Sequence, residues 1–122
     1  MQSQKFSIRK RLMSFRYAGE GIYRFFWQEH NARIHLMATV VVGLAAWLFN
    51  VSRMELIALV AAIGGVWITE MLNTCIEKMA DLISLEVHPE IKFIKDLAAG
   101  AVLVAAVVAV IIGFIIFIPK IL

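Results

Sequence analysis

The chain has 122 residues, 61% of them hydrophobic and 17% charged, with a positive mean hydropathy. That balance excludes an ordinary soluble domain and points to an all-α membrane protein. One cysteine, Cys75, excludes an internal disulfide framework or a CxxC metal site, and a net charge of +3 is too modest to argue for nucleic acid as a partner.

The first element is expected over about residues 6–30. Ile8, Leu12, Phe15, Ile22, Phe25 and Phe26 recur at helical spacing with Arg9, Lys10, Arg11 and Arg16 between them. This reads as an amphipathic helix lying on the membrane surface, interrupted or bent at the glycines of "YAGEGIY". No secretory signal is expected here, because the basic residues are scattered and no clean apolar stretch leads to a small-residue cleavage site.

Three spans follow, at about residues 31–50, 54–83 and 92–119, within a single domain covering 1–122. The third is the clearest: Leu97 to Ile118 is uncharged, roughly 22 residues or about 33 Å of helix. The first ends at the "FNVSR" turn. The second has only a short uncharged part, Leu56 to Thr69, and reaches spanning length by continuing through Glu70 and Asn73 toward Asp81. Between the second and third lies "EVHPEIKFIKD", a short charged connection containing one of the two prolines.

Lysines and arginines set the expected orientation. Lys5, Arg9, Lys10, Arg11, Arg16, Arg24 and Arg33 precede the first span, the first loop has only Arg53, and the second connection has Lys78, Lys92 and Lys95. The N-terminus and the second connection are therefore expected on the cytoplasmic side.

The second span carries the chemistry. Glu70, Asn73, Thr74, Glu77 and Asp81 share one helical face, because steps of three, four, seven and eleven residues return near their start. A carboxylate in a lipid-facing helix costs about 2.5–3.5 kcal/mol at the bilayer centre and less near the interface. Such groups mark function. One carboxylate can hold Mg²⁺ that also binds nucleotide phosphates, and the other can take the proton of a hydroxyl nucleophile. Lys95, next to Asp96, or Arg9, Lys10 and Arg11 would supply the cation for phosphate charge, and Glu29 would complete the metal site. The structural alternative is a hydrogen-bond network of Glu70, Asn73 and Glu77 that only fixes helix packing. Lys78, Glu86 and Glu90 read as solvated charges, the three histidines as polar interface residues without metal-ligand spacing, and Cys75 as a small packing residue. "GEG" at 19 to 21 is a very weak nucleotide signal, and no Walker lysine motif is present. Ala101, Ala105, Ala109 and Gly113 place small residues every four positions on the third span, suited to close packing within the chain or between copies.

"EMLNTCIEKMAD", followed by "KDLAAGAV", resembles the signature of the prokaryotic diacylglycerol kinase and undecaprenol kinase family, and the likeness extends over nearly the whole chain. The resemblance implies a homotrimeric integral membrane kinase that moves the γ-phosphoryl of MgATP to a lipid hydroxyl, with active sites shared between protomers. By that resemblance Glu70 matches the general base, also facing the lipid substrate with Asn73, and Glu77 with Glu29 matches the metal-binding acids. Tyr17, Glu29, Asn73, Glu77, Asp81, Lys95 and Asp96 match nucleotide-binding positions. "EHNARIH", with His35 where enterobacterial diacylglycerol kinases tend to carry an acid, and the ending "FIPK" resemble the undecaprenol kinases. Cys75 departs from the usual alanine. Undecaprenol is thus the expected acceptor, with diacylglycerol the alternative and a small membrane transporter a distant one.

Overall fold

The computed structural model describes residues 5–122 and consists of four helices: α1 (Ile8–Gln28), α2 (His30–Leu48), α3 (Arg53–Ile83) and α4 (Pro89–Ile121). The chain divides into a unit ending at Ile34 and a unit from His35 to Leu122. The last three helices are long and apolar enough to cross a membrane.

In the first unit, Ser7 caps α1 by accepting from the Lys10 amide. Of the expected interruption or bend at Gly19 and Gly21, the interruption does not occur. The helix runs through both, and neither glycine has a positive φ. Each glycine costs about 1 kcal/mol relative to alanine, too little to break a helix of otherwise adequate formers, and the Arg16–Glu20 pair at 3.1 Å bridges the first of them. The actual break is at Glu29, whose extended backbone ends α1 while its amide donates to the Phe25 carbonyl. Arg33 then donates to the Trp27 carbonyl at 3.0 Å, satisfying an acceptor that the helix end leaves without a partner within the helix.

In the second unit, α2 ends at Leu48, and in the turn after it Asn50 takes a left-handed φ of 50° that asparagine tolerates better than most residues. Two residues later Ser52 and Glu55 form a reciprocal capping box that starts α3. Glu55 also pairs with Lys120 at 3.1 Å, joining the first turn of α3 to the last turn of α4. Beside that tie lies the small packed core of Ala46, Leu59 and Ile116, flanked by Val42, Ile112 and Phe117.

α3 continues without interruption through the polar face, so its 31 residues make a helix of about 46 Å, against roughly 30 Å of hydrocarbon. One turn or more must project from the oily layer. A connection of five residues, Ser84 to His88, leads into α4, where His88 caps through Nδ1 and Pro89 occupies the first turn. Large apolar side chains such as Met37, Trp47, Val60, Leu103 and Phe114 stay exposed on all three apolar helices. Lipid or further protein must cover them.

Candidate functional site

Glu70, Asn73 and Thr74 are the buried polar residues among those described, and all three lie within two turns of α3. Their burial follows from the face they share, which turns toward neighbouring helices. The face resolves into three successive polar contacts.

Deepest is Glu70, 3% exposed, with its Oε2 3.3 Å from Nε2 of His35 on α2. One turn on, Asn73 donates through Nδ2 to Glu77 Oε1 at 3.2 Å. Asn73 Oδ1 is buried with no partner, a state that costs about 1–3 kcal/mol unless a ligand supplies the donor or a cation. Last, toward the C-terminal end of α3, Lys95 of α4 donates to Asp81 at 3.0 Å, and Lys92 to Asp96 at 2.6 Å. Glu70 and Asp81 are separated by eleven residues, about 16 Å along the helix.

Two cavities flank this line. One, of about 500 Å³, is an apolar groove between α2, α3 and α4. Its wall on α3 runs from Leu59 to Trp67, one turn short of Glu70, and His35 stands in its wall on α2. Ala106, Ala109 and Gly113 form much of the α4 side, so part of the small-residue ladder opens a space here. The other, of about 350 Å³, lies against the α3–α4 connection and gathers Asp81, Glu86, His88, Lys92, Lys95 and Asp96. The arrangement puts a buried carboxylate at the end of an apolar trough and a mixed-charge pocket farther along the same helix. It can bring an apolar molecule bearing a hydroxyl to a proton acceptor, and a charged molecule to lysines.

Glu77 and the partnerless Asn73 Oδ1 are oxygen donors of the kind that magnesium, a hard cation, prefers. They fit a site that shares its ion with a phosphate-bearing ligand. Among the described residues no three His, Cys, Asp or Glu side chains gather as a self-sufficient metal cage.

Of the residues singled out in the sequence, Glu70, Asn73, Glu77, Asp81, Lys95 and Asp96 thus fall along one line of the second unit. Tyr17, exposed on α1, and Glu29, half-buried where α1 ends, belong to the first unit. Sequence reasoning missed the Glu70 partner, His35, and the places of His88 and Lys92 in the charged pocket. The signal for the latter two was the density of charge in "EVHPEIKFIKD"; for His35 it was its place in "EHNARIH", which marked the position without giving the residue it faces. Cys75 is exposed rather than packed, because it lies off the polar face.

The prokaryotic diacylglycerol kinase family model matches residues 16–117. The chain is 43% identical over 107 residues to the undecaprenol kinase of Bacillus subtilis, covering 88% of this chain and 87% of that one. It is 40% identical over 112 residues to a diacylglycerol kinase of Synechocystis, covering 91% of this chain and 64% of the relative. A diacylglycerol kinase of Pseudomonas aeruginosa is 36% identical over 92 residues, 75% of each chain. With three helices able to span a membrane and kinases as its relatives, the chain belongs to the prokaryotic diacylglycerol kinase family of membrane lipid kinases.

Proposed function

We propose that the protein phosphorylates undecaprenol, taking the γ-phosphoryl of MgATP and releasing undecaprenyl phosphate and ADP at the cytosolic face of a bacterial inner membrane. The observation that carries this reading is the buried Glu70 at the end of an apolar groove, with the lysine-bearing pocket farther along the same helix. A lipid alcohol and a water-soluble phosphate donor have to meet at such a boundary. Undecaprenol is favoured over diacylglycerol by the relative from Bacillus subtilis, named an undecaprenol kinase, which this chain matches over most of both lengths.

In the proposed reaction the apolar chain of the substrate lies in the groove and its hydroxyl reaches Glu70. The hydroxyl oxygen attacks the γ-phosphorus, its proton passes to the Glu70 carboxylate, and the bond to the β–γ bridging oxygen breaks with its electron pair leaving on ADP. Lys95 and Lys92 balance phosphate charge, while Asp81 and Asp96 hold those lysines in place. Asn73 donates to Glu77 through Nδ2 and so keeps that carboxylate in place beside the reacting groups. Glu77 and Asn73, with Glu29, are the residues proposed to hold magnesium, which supplies charge neutralisation on the phosphates. Tyr17 contributes to nucleotide binding. The basic α1 lies on the membrane surface as an amphipathic helix, and three copies form the working enzyme.

Transfer of labelled phosphate from ATP by purified protein in nanodiscs tests the reading directly. Strong transfer to undecaprenol, dependent on Mg²⁺, is the expected result. Preference for diacylglycerol would replace the acceptor, and no transfer to either would overturn the kinase mechanism.

A further inference from the structure

His35 is a polar partner that α2 brings to Glu70, and the surrounding contacts fix it in place. Its Nε2 stands 3.3 Å from Glu70 Oε2. Trp67, one turn before Glu70, meets the imidazole edge-on with ring centroids 6.2 Å apart. The indole Nε1 donates to Thr39 Oγ1 at 3.0 Å, and that hydroxyl donates to the His35 carbonyl at 2.7 Å. Thus α3 grips both the ring and, through Thr39, the backbone turn that carries it.

A tether between α2 and α3 is already provided by Trp67 and Thr39 at this level and by Ala46 with Leu59 at the other end of the groove. The imidazole adds something else. It forms part of the groove wall, 24% exposed, and touches Glu70, the carboxylate beyond the Trp67 end of the groove. Lipid offers no donor to a carboxylate, whereas a neighbouring N–H both offsets its desolvation and restricts its rotation. At 3.3 Å the two groups stand within ion-pair reach without the alignment of a hydrogen bond, an alignment that catalytic contacts commonly gain only when substrate closes the site.

We propose that His35 is a positioning residue for Glu70: it presents Nε2–H to Oε2 and holds the carboxylate in the orientation that accepts the proton of a lipid hydroxyl arriving along the groove. The inference rests on the proposed kinase reaction. In that step the hydroxyl proton ends on Glu70, and His35 neither gains nor loses one; its effect is on geometry. A mismatch of about 1 Å at a reacting group can cost on the order of 10²-fold in rate.

The test compares His35→Leu and His35→Gln, each with and without Glu70→Gln, in nanodiscs carrying the lipid alcohol. His35→Leu should lower kcat by about 10- to 100-fold with the KM for ATP unchanged. His35→Gln, which keeps an N–H donor, should recover most of the loss. Because the effect passes through Glu70, adding His35→Leu to Glu70→Gln should slow the enzyme no further. Wild-type kcat in His35→Leu, equal losses in the two His35 variants, or multiplying losses in the double variant would each overturn the proposal.

A second readout needs no turnover. In ¹⁵N-histidine spectra of the intact protein, Glu70→Gln should move the His35 Nε2 resonance and leave those of His30 and His88 in place; an unmoved His35 signal overturns the pairing. Wild-type protein that transfers no phosphate overturns the kinase reaction instead, while the spectra still report on the pair, so the two failures are distinguishable.

Discussion

Glu70, Glu77 and Lys95 stand in different surroundings, and their substitutions should separate in kinetics. Glu70 is buried against His35 at the end of the groove. Glu70→Gln keeps its shape and removes the proposed proton acceptor, so kcat should fall by 10² or more while ATP binding is largely kept; steady-state kinetics with saturating lipid would check this. Unchanged turnover would remove Glu70 from the reaction. Glu77 shares its contact with Asn73, beside an oxygen that has no partner. Glu77→Gln should therefore move the Mg²⁺ titration to higher concentration, and an identical titration would argue against metal at this carboxylate. Lys95 is different again, because its pair with Asp81 is half open to solvent. Lys95→Met should barely change thermal stability, since exposed pairs contribute about 0–1 kcal/mol, yet it should raise the KM for ATP.

Helix ends and helix interiors follow local rules that can be tested apart from catalysis. The capping box at Ser52 and Glu55 starts α3 next to the Glu55–Lys120 tie. Ser52→Ala should lower stability by about 1 kcal/mol, read as a lower thermal midpoint in detergent, without altering KM at the distant site. In α1, a Cβ added at Gly19 or Gly21 meets nothing within 4 Å. Gly19→Ala should consequently strengthen the helix by up to about 1 kcal/mol, measurable as increased helicity on heating. A loss instead would mean that the glycine makes a close approach to something outside this chain. The uninterrupted α1 illustrates why propensity misled the sequence reading: two glycines weaken a helix, but only a residue such as Glu29, with its backbone extended, ends one.

For the molecule as a whole, the small core and the many exposed apolar side chains leave most of the surface to lipid or to other copies. The proposed homotrimer would cover part of that surface. Cross-linking in native membranes should then stop at three copies, and mass measurement in detergent should agree. If active sites are shared, protomers carrying Glu29→Gln mixed with protomers carrying Glu70→Gln should recover part of the activity that neither has alone. No recovery on mixing would place a complete site within one chain.

How much was legible in the sequence differs by kind of feature. The apolar runs specified the helices that can cross a membrane, because spanning length follows from 1.5 Å per residue and from the cost of leaving backbone groups unpaired in lipid. The 3.6-residue period placed Glu70, Asn73 and Glu77 on one face, and "EMLNTCIEKMAD" was enough to identify the family. The facing partners were not legible. Glu70 meets His35 thirty-five positions earlier, and Asp81 meets Lys95 across the α3–α4 turn, through contacts set by how the helices dock and rotate about their axes. A period along one helix gives the direction in which a side chain points; only the packing of a second helix decides what it finds there.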